Sequence, residues 1–227
     1  MKAVALFSGG KDSLFALWTA MHQGYDVSCL ITLIPKSLES WLFHYPAVRF
    51  AVLQAEAMGI PILIRRTGDS ATRGLRDLRS MLKKAVERFD VDVVVSGVLA
   101  SDYQRTLVDL VCEELKLRTF TPLWGKRGEL LLAEVMSLGF SVMIVGVAAE
   151  GLTKKWLGRV LNDEAIEELN SLASRYRFNP AGEGGEYETL VLDAPIFKKR
   201  LVVEKARPVW MGDSGYLEIE EAYLATK

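Results

Sequence analysis

The stretch Phe7-Ser8-Gly9-Gly10-Lys11-Asp12-Ser13 decides the fold of this chain. It follows apolar residues 3–7, which predict a buried strand, and precedes apolar residues 14–18, which predict the first turns of a buried helix. Two glycines between a strand and a helix favour an anion-binding turn, because glycine tolerates positive φ and the first N–H groups of a helix lack internal partners. The alternative is an ordinary turn in which a serine or the aspartate caps the helix.

The polar side chains of this stretch suit a phosphate ligand. Lys11 supplies a mobile positive charge, and the hydroxyl groups of Ser8 and Ser13 can donate hydrogen bonds. The spacing is not that of the Walker A motif, whose glycines lie further apart. We therefore predict a phosphate cradle of another type, in which Gly9 and Gly10 let the backbone approach the anion closely.

Composition limits the class of protein. The chain has 227 residues, of which 50% are hydrophobic, and its net charge of -1 disfavours nucleic acid or an anionic membrane as a general partner. Cys29 and Cys112 are its two cysteines, and both lie in apolar stretches. Because they form no disulfide framework or metal-binding pair, we expect a reducing, cytoplasmic setting. No apolar run is long enough to predict a membrane span.

Strand and helix patterns alternate through the first half of the chain. The pattern predicts strands over residues 2–7, 27–33, 61–65, 91–95 and 118–121, and helices over residues 12–23, 46–58, 70–89 and 102–115. Either Asp69 or Ser70 is available to cap the third of these helices. This alternation predicts an α/β fold with a doubly wound parallel sheet.

The second half of the chain predicts a smaller α+β unit. Its boundary is placed at Gly125-Lys126-Arg127-Gly128, which gives domains over residues 1–125 and 126–227. Helices are predicted over residues 130–137 and 163–176, and strands over residues 142–147, 187–192, 200–208 and 216–225. The last two strands can pair as a hairpin.

The loop after the fourth strand is expected at the same crevice as the glycine stretch. In a sheet of order 3-2-1-4-5, ligands bind where the strand order reverses, between strands one and four. Gly97 would allow close approach of a ligand, and Arg105 could hold phosphate or a leaving pyrophosphate. Asp102 either binds Mg²⁺ or caps its helix, and Gln104 either contacts a ligand or is a solvated helix residue.

A second polar stretch is Gly182-Glu183-Gly184-Gly185-Glu186-Tyr187-Glu188-Thr189. Its carboxylates offer a site for a cation or metal, and its glycines permit close backbone approach. The alternative is a glycine turn that opens a strand. His22 and His44 are the only two histidines in the sequence, which disfavours a histidine-centred triad. Packing is the default role of His44, Trp41 and Trp124.

Several motifs together resemble the diphthine–ammonia ligase family. They are residues 8–13, Ser101-Asp102-Tyr103-Gln104-Arg105, Pro122-Leu123-Trp124, residues 182–189 and Asp193-Ala194-Pro195. The glycine stretch alone resembles the PP-loop of enzymes that split ATP into AMP and pyrophosphate. The resemblance runs to about residue 203, so it assigns no role to the last twenty or so residues.

The resemblance implies a nucleotide-binding domain of the HUP type, like the adenine nucleotide α-hydrolases, joined to a smaller domain that shapes the substrate pocket. It also implies that ATP adenylates the carboxylate of diphthine on elongation factor 2, after which ammonia displaces AMP to form diphthamide. ATP and Mg²⁺ are the implied cofactors.

The family's roles carry over to matching residues. The implied catalytic set is Lys11, Asp12, Ser13 and Arg105; the nucleotide set adds Ser8, Gly9, Gly10, Gly97, Ser101 and Asp102; the substrate set is Gln104, Trp124, Glu183, Gly184, Gly185, Glu186, Tyr187, Glu188 and Thr189. Asp12 is the implied metal contact. The three glutamates, with the ring of Tyr187 or Trp124, would bind the trimethylammonium group of diphthine.

Two other functions stay open at this point. One is another PP-loop enzyme, such as a tRNA-modifying or tRNA-thiolating ligase, although thiolation normally requires reactive cysteines and a basic surface. The other is an adenine-nucleotide sensor without catalysis. The sequence leaves the oligomeric state open.

Overall fold

A computed structural model describes residues 1–35, 48–68 and 70–227 of the chain. These residues form two compact units, Met1–Gly125 and Lys126–Lys227. The predicted roles of Trp41, His44 and Asp69, and the start of the helix predicted over residues 46–58, lie outside the described residues.

The first unit is built from alternating strands and helices. The strands are β1 (Lys2–Leu6), β2 (Asp26–Pro35), β3 (Ile62–Thr67), β4 (Val93–Val95) and β5 (Arg118–Phe120). The helices are α1 (Lys11–His22), α2 (Ala51–Met58), α3 (Ala71–Phe89) and α4 (Asp102–Glu114). All pairings are parallel, in the order β3-β2-β1-β4-β5. The predicted doubly wound α/β sheet is confirmed.

The core of this unit lies between one face of the sheet and helices α3 and α4. Side chains from β1, β2 and β4 pack there against Leu78, Leu82 and Val111. Both cysteines belong to this core. Burial raises the pKa of Cys29 to about 12, and burial followed by the charge of Asp109 raises the pKa of Cys112 to about 12. Both thiols therefore stay protonated at neutral pH.

The strand order sets where a ligand can bind. β1 pairs with β2 on one edge and with β4 on the other, with Ala3 opposite Val93 and Ala5 opposite Val95. The chain therefore goes from β1 to β2 and β3 on one side of β1, and then crosses back to form β4 and β5 on the other side. The loops after these two strands open at the same edge, which is the switch point of a doubly wound sheet.

The second unit is an antiparallel sheet with two helices. It contains α5 (Gly128–Ser137), β6 (Ser141–Val147), α6 (Asp163–Tyr176), β7 (Tyr187–Asp193), β8 (Lys199–Met211) and β9 (Ser214–Thr226), with a short 3₁₀ turn over Lys154–Trp156. The strand order is β7-β6-β9-β8. The predicted smaller α+β unit and its terminal hairpin are confirmed, and the hairpin strands are longer than predicted. The last twenty or so residues, to which the sequence assigns no role, complete β8 and form β9.

No helix in the described part of the chain is both long and apolar enough to cross a membrane. The longest, α3, runs over Ala71–Phe89 and has exposed arginines at Arg73 and Arg76.

Candidate functional site

The glycine loop joins β1 to α1. Gly9 has a φ of 84°, in the left-handed region that favours glycine. Gly10 is the N-cap of α1, and its φ of -81° and ψ of 167° are extended. No side chain caps the helix at this end. The first N–H groups of α1 lack partners within the helix and face the end where the helix dipole is positive.

The two serines brace the loop. Ser13 Oγ donates to the carbonyl oxygen of Gly10 at 3.1 Å and accepts from the backbone N–H of Ser8 at 3.2 Å. Ser8 Oγ lies 3.1 Å from Ser13 Oγ and accepts from the N–H of Gly10 at 3.3 Å. The hydroxyl groups predicted to donate to a phosphate therefore also hold the loop in shape.

Lys11 and Asp12 form an ion pair at the helix start. Lys11 is buried, and its Nζ lies 2.8 Å from Asp12 Oδ2. The other carboxylate oxygen, Asp12 Oδ1, is buried and has no hydrogen-bond partner among the described residues. A buried carboxylate oxygen without a partner is costly. The position therefore fits a cation or an N–H donor, and Mg²⁺ is one such cation.

The described residues contain no group of three or more histidine, cysteine, aspartate or glutamate side chains arranged to hold a metal. A magnesium ion at Asp12 would thus take most of its ligands from phosphate oxygens and water. This is the usual arrangement for magnesium bound with a nucleotide.

Gly97 brings the loop after β4 into contact with the start of α1. A Cβ atom on Gly97 would lie 2.7 Å from the backbone carbon and oxygen of Asp12 and 2.8 Å from the backbone nitrogen of Ser13. The sequence predicted close approach of a ligand at Gly97, whereas the near neighbour in the structure is protein backbone. The two loops expected at one crevice therefore meet.

The start of α4 corrects one prediction. Ser101 is the N-cap of this helix, and its side chain accepts from the backbone N–H of Gln104 at 3.3 Å. Asp102 is the first helical residue and is exposed, so the proposal that it caps the helix is wrong. Its carboxylate stays a candidate ligand for Mg²⁺. Gln104 is half-buried.

Arg105 and Trp124 lie together in the first unit. The Arg105 guanidinium carbon is 4.3 Å from the centre of the Trp124 ring. Arg105 also lies 3.6 Å from Asp109, one helical turn further on. The stacked indole restricts where the guanidinium can point.

In the second unit, Glu186 organises its own loop. Its Oε1 accepts from the N–H of Asn179 at 2.9 Å, and its Oε2 accepts from the N–H of Gly184 at 2.7 Å. Asn179 Oδ1 in turn accepts from the N–H of Ala181 at 2.9 Å. The carboxylate that the sequence assigns to a cation therefore holds two backbone groups of the loop that carries it.

Tyr187 does not present its ring at the surface. It is 3% exposed, and its hydroxyl donates to the carbonyl oxygen of Pro180 at 2.7 Å. Gly182 has a φ of 75°, and a Cβ there would lie 2.9 Å from the Tyr187 ring. Trp124 thus remains as the aromatic candidate for binding a trimethylammonium group.

The remaining substrate candidates share one stretch of chain. Glu183 and Glu188 are half-buried, Thr189 is buried, and Gly184 is exposed while Gly185 is half-buried. Glu188 stands opposite Gly146 of β6, where a Cβ would approach it to 3.0 Å.

Sequence reasoning missed two buried polar residues that contact the glycine loop. Gln54 of α2 is fully buried, and its Nε2 donates to the carbonyl oxygen of Gly9 at 2.9 Å. Thr32 of β2 is also fully buried, and its hydroxyl donates to the carbonyl oxygen of Phe7 at 2.6 Å. The sequence did contain one signal for Gln54, because it lies among the apolar residues of a helix and a buried polar side chain must find a partner.

Comparison with known proteins extends over nearly the whole chain. The family model described as diphthamide synthase N-terminal domain matches residues 1–119, and the one described as diphthamide synthase C-terminal domain matches residues 127–225. A diphthine–ammonia ligase of Danio rerio is 35% identical over 238 residues, covering 96% of this chain and 92% of that protein. The Homo sapiens protein of the same name is 35% identical over 229 residues, covering 92% of this chain and 85% of that protein.

Two further matches differ in coverage. A diphthine–ammonia ligase of Schizosaccharomyces pombe is 35% identical over 97% of this chain, which spans only 39% of the length of that protein. A crystal structure titled as a predicted subunit of a tRNA methyltransferase from Methanocaldococcus jannaschii aligns with 86% of this chain and 98% of that one, at 15% identity and a TM-score of 0.44. A structural likeness at that level has no bearing on function.

Proposed function

The chain belongs to the diphthamide synthase family, and from this premise we propose that it converts diphthine on elongation factor 2 to diphthamide, using ATP and ammonia. Family membership makes the chain a ligase of diphthamide biosynthesis. The proposed use of ATP has its main support in one observation. The glycine loop places an uncapped helix start, the buried Lys11 and the lone carboxylate oxygen of Asp12 at the switch point of the sheet.

The proposed reaction has two bond exchanges. An oxygen of the diphthine carboxylate attacks the α-phosphorus of ATP, and the bond from that phosphorus to the bridging oxygen breaks, so that pyrophosphate leaves with the electron pair. Ammonia then attacks the adenylated carboxyl carbon, the bond from that carbon to the AMP oxygen breaks so that AMP leaves with the electron pair, and the nitrogen releases one proton to solvent as the amide forms. The first exchange is needed because a free carboxylate is a poor acyl donor.

The glycine loop would act on the leaving pyrophosphate. Negative charge grows on it as the α–β bond breaks, and fixed positive groups stabilise that charge most when they are already in position. Lys11 supplies such a charge, and its pairing with Asp12 at 2.8 Å limits where its Nζ can lie. Arg105, held against Trp124, would supply a second charge from the first turn of α4.

Asp12 would hold the magnesium ion through Oδ1, the oxygen that has no partner among the described residues. When bound, Mg²⁺ neutralises charge on the phosphate oxygens. Asp102, exposed at the start of α4, is the second carboxylate that could serve it.

On the acceptor side, we assign the half-buried carboxylates of the second polar stretch, Glu183, Glu186 and Glu188, to the cationic group of diphthine. Glu186 also holds the loop, since its two oxygens bind the N–H groups of Asn179 and Gly184. The second unit then has the role of a substrate domain.

The thiolating alternative has little support in this chain. Cys29 and Cys112 are fully buried core residues, and burial raises the pKa of both to about 12. A thiol in that state is a poor nucleophile at neutral pH. Two free, buried thiols also suit the reducing, cytoplasmic setting that we propose.

The test is pyrophosphate release by the purified chain with Mg-ATP and ammonium, with and without elongation factor 2 carrying diphthine. We expect release to depend on that acceptor and to fall about a hundredfold in Lys11→Met, because the positive charge that stabilises the leaving pyrophosphate is lost. Lys2→Met is the matched control, since Lys2 is a lysine paired with the exposed Asp90. Release without the acceptor, or equal release by Lys11→Met and Lys2→Met, would contradict the proposal.

A further inference from the structure

Gln54 reaches the glycine loop from a different element of the chain. It lies on α2, 45 residues beyond Gly9, and none of its surface is exposed. Its side-chain amide donates to the carbonyl oxygen of Gly9 at 2.9 Å, a normal length for such a bond. The other buried residues of α2 are Ala51, Ala55, Ala57 and Met58, so Gln54 is the polar member of an apolar face.

This bond determines which way the peptide between Gly9 and Gly10 faces. The described chain has no cis peptide bond, and in a trans peptide the carbonyl oxygen and the following N–H point in opposite directions. With the carbonyl of Gly9 directed at Gln54, the N–H of Gly10 points away from α2. Among the described residues it donates to Ser8 Oγ, at the long distance of 3.3 Å, and an entering phosphate oxygen could replace that acceptor.

A peptide between two glycines has little intrinsic preference for one orientation. Glycine populates both signs of φ, and Gly9 is already at 84°. A flip of this peptide would replace the N–H of Gly10 with the carbonyl oxygen of Gly9. An anion in the loop would then face an acceptor in place of a donor.

We propose that Gln54 is a positioning residue that keeps the N–H of Gly10 directed at the phosphates of the nucleotide. The inference rests on the proposed function, because it assumes that ATP binds at the glycine loop. Gln54 acts through the backbone of Gly9 and touches no substrate itself. Its effect should therefore appear in the affinity for the terminal phosphates and be absent from the contacts to the nucleoside.

The experiment compares Gln54→Met with the wild-type chain. Methionine has a similar length and no donor, and Gln23→Met is the control for the same exchange at the end of α1. Calorimetry gives the Kd of Mg-ATP, and competition with ATP gives the Kd of AMP. We expect Mg-ATP to bind Gln54→Met about tenfold to a hundredfold more weakly, as for loss of a bond to a charged group, with AMP changed less than about twofold.

Three results would overturn the inference. Wild-type affinity for Mg-ATP in Gln54→Met would show that the loop keeps its shape unaided, and an equal loss for ATP and AMP would indicate general damage. Gln54→Asn, whose amide is one methylene too short for the bond, provides a second variant with the same expected result. The third contrary result is failure of both variants to fold, because Gln54 would then be needed for the stability of the chain. Failure of the wild-type chain to bind Mg-ATP would instead reject the proposed function.

Discussion

Replacing Gly97 with alanine should disturb the glycine loop from the outside. The new Cβ would lie 2.7 Å from the backbone carbon and oxygen of Asp12, where ordinary contact begins at 3.4 Å. The overlap of about 0.7 Å falls on backbone atoms of the first turn of α1, which cannot move aside as a side chain tip can. Either the loop after β4 or the start of α1 must shift.

Overpacking of this kind costs about 1–3 kcal/mol. Urea denaturation of Gly97→Ala should show that loss in the free energy of unfolding. Because the displaced atoms include the N–H of Ser13 and the backbone of Asp12, we also expect the calorimetric Kd of Mg-ATP to rise at least about tenfold, the equivalent of roughly 1.4 kcal/mol.

Gly68→Ala is the matched control. A Cβ there would meet Arg73 at 2.5 Å, but the contact is to the Cδ atom of an exposed, flexible side chain that can swing away. It should change stability and Mg-ATP affinity little. If Gly97→Ala matches Gly68→Ala in both measurements, the contact between the two loops does not shape the nucleotide site and the reasoning fails.

Three further changes test separate parts of the structure. Glu186→Gln puts an amide N–H₂ opposite a backbone N–H, so the free energy of unfolding should fall by about 1–3 kcal/mol while the Kd of Mg-ATP stays the same. The control is Glu204→Gln, the same exchange at an exposed position of β8, and equal stability of the two variants would contradict the bracing role. Trp124→Leu removes the ring 4.3 Å from Arg105. Because a cation–π contact contributes about 0.5–1 kcal/mol, acceptor-dependent pyrophosphate release should slow several-fold; an unchanged rate would show that the stack does not position Arg105 for the reaction. Burial raises the pKa of the thiols of Cys29 and Cys112 from 9.0 to about 12, so the folded state holds these protons more tightly than the unfolded state. The stability that the protonated thiols contribute is therefore complete below pH 9 and is lost as the pH rises towards 12. Iodoacetamide should leave both cysteines of the native protein unlabelled at pH 9, and rapid labelling at that pH would contradict their burial.

The sequence predicts most of the fold because its patterns are local and strong. Residues 93–95 are three consecutive valines, and the structure buries all of them in β4 between neighbouring strands. The strand order assumed for the switch point, 3-2-1-4-5, is the order observed. The terminal hairpin follows equally well, with Val209 opposite Tyr216 across its turn.

The contacts within the site are less accessible to sequence reasoning, because they depend on distances that no local pattern contains. Gln54 reaches Gly9 across 45 residues. The carboxylate of Glu186 could have faced solvent or a cation, and only the folded loop directs it at Asn179 and Gly184. The choice of Ser101 over Asp102 as helix cap likewise depends on a single turn of backbone.

The burial of both native thiols has a practical consequence for following the enzyme at work. A maleimide dye would find no reactive partner on the native surface, so one engineered cysteine would be its sole point of attachment. Tyr103 is 58% exposed and precedes Arg105 by two positions on α4. A fluorophore coupled there would lie beside the proposed nucleotide site, and a change in its signal on addition of Mg-ATP would test that site in real time without prior removal of any natural residue.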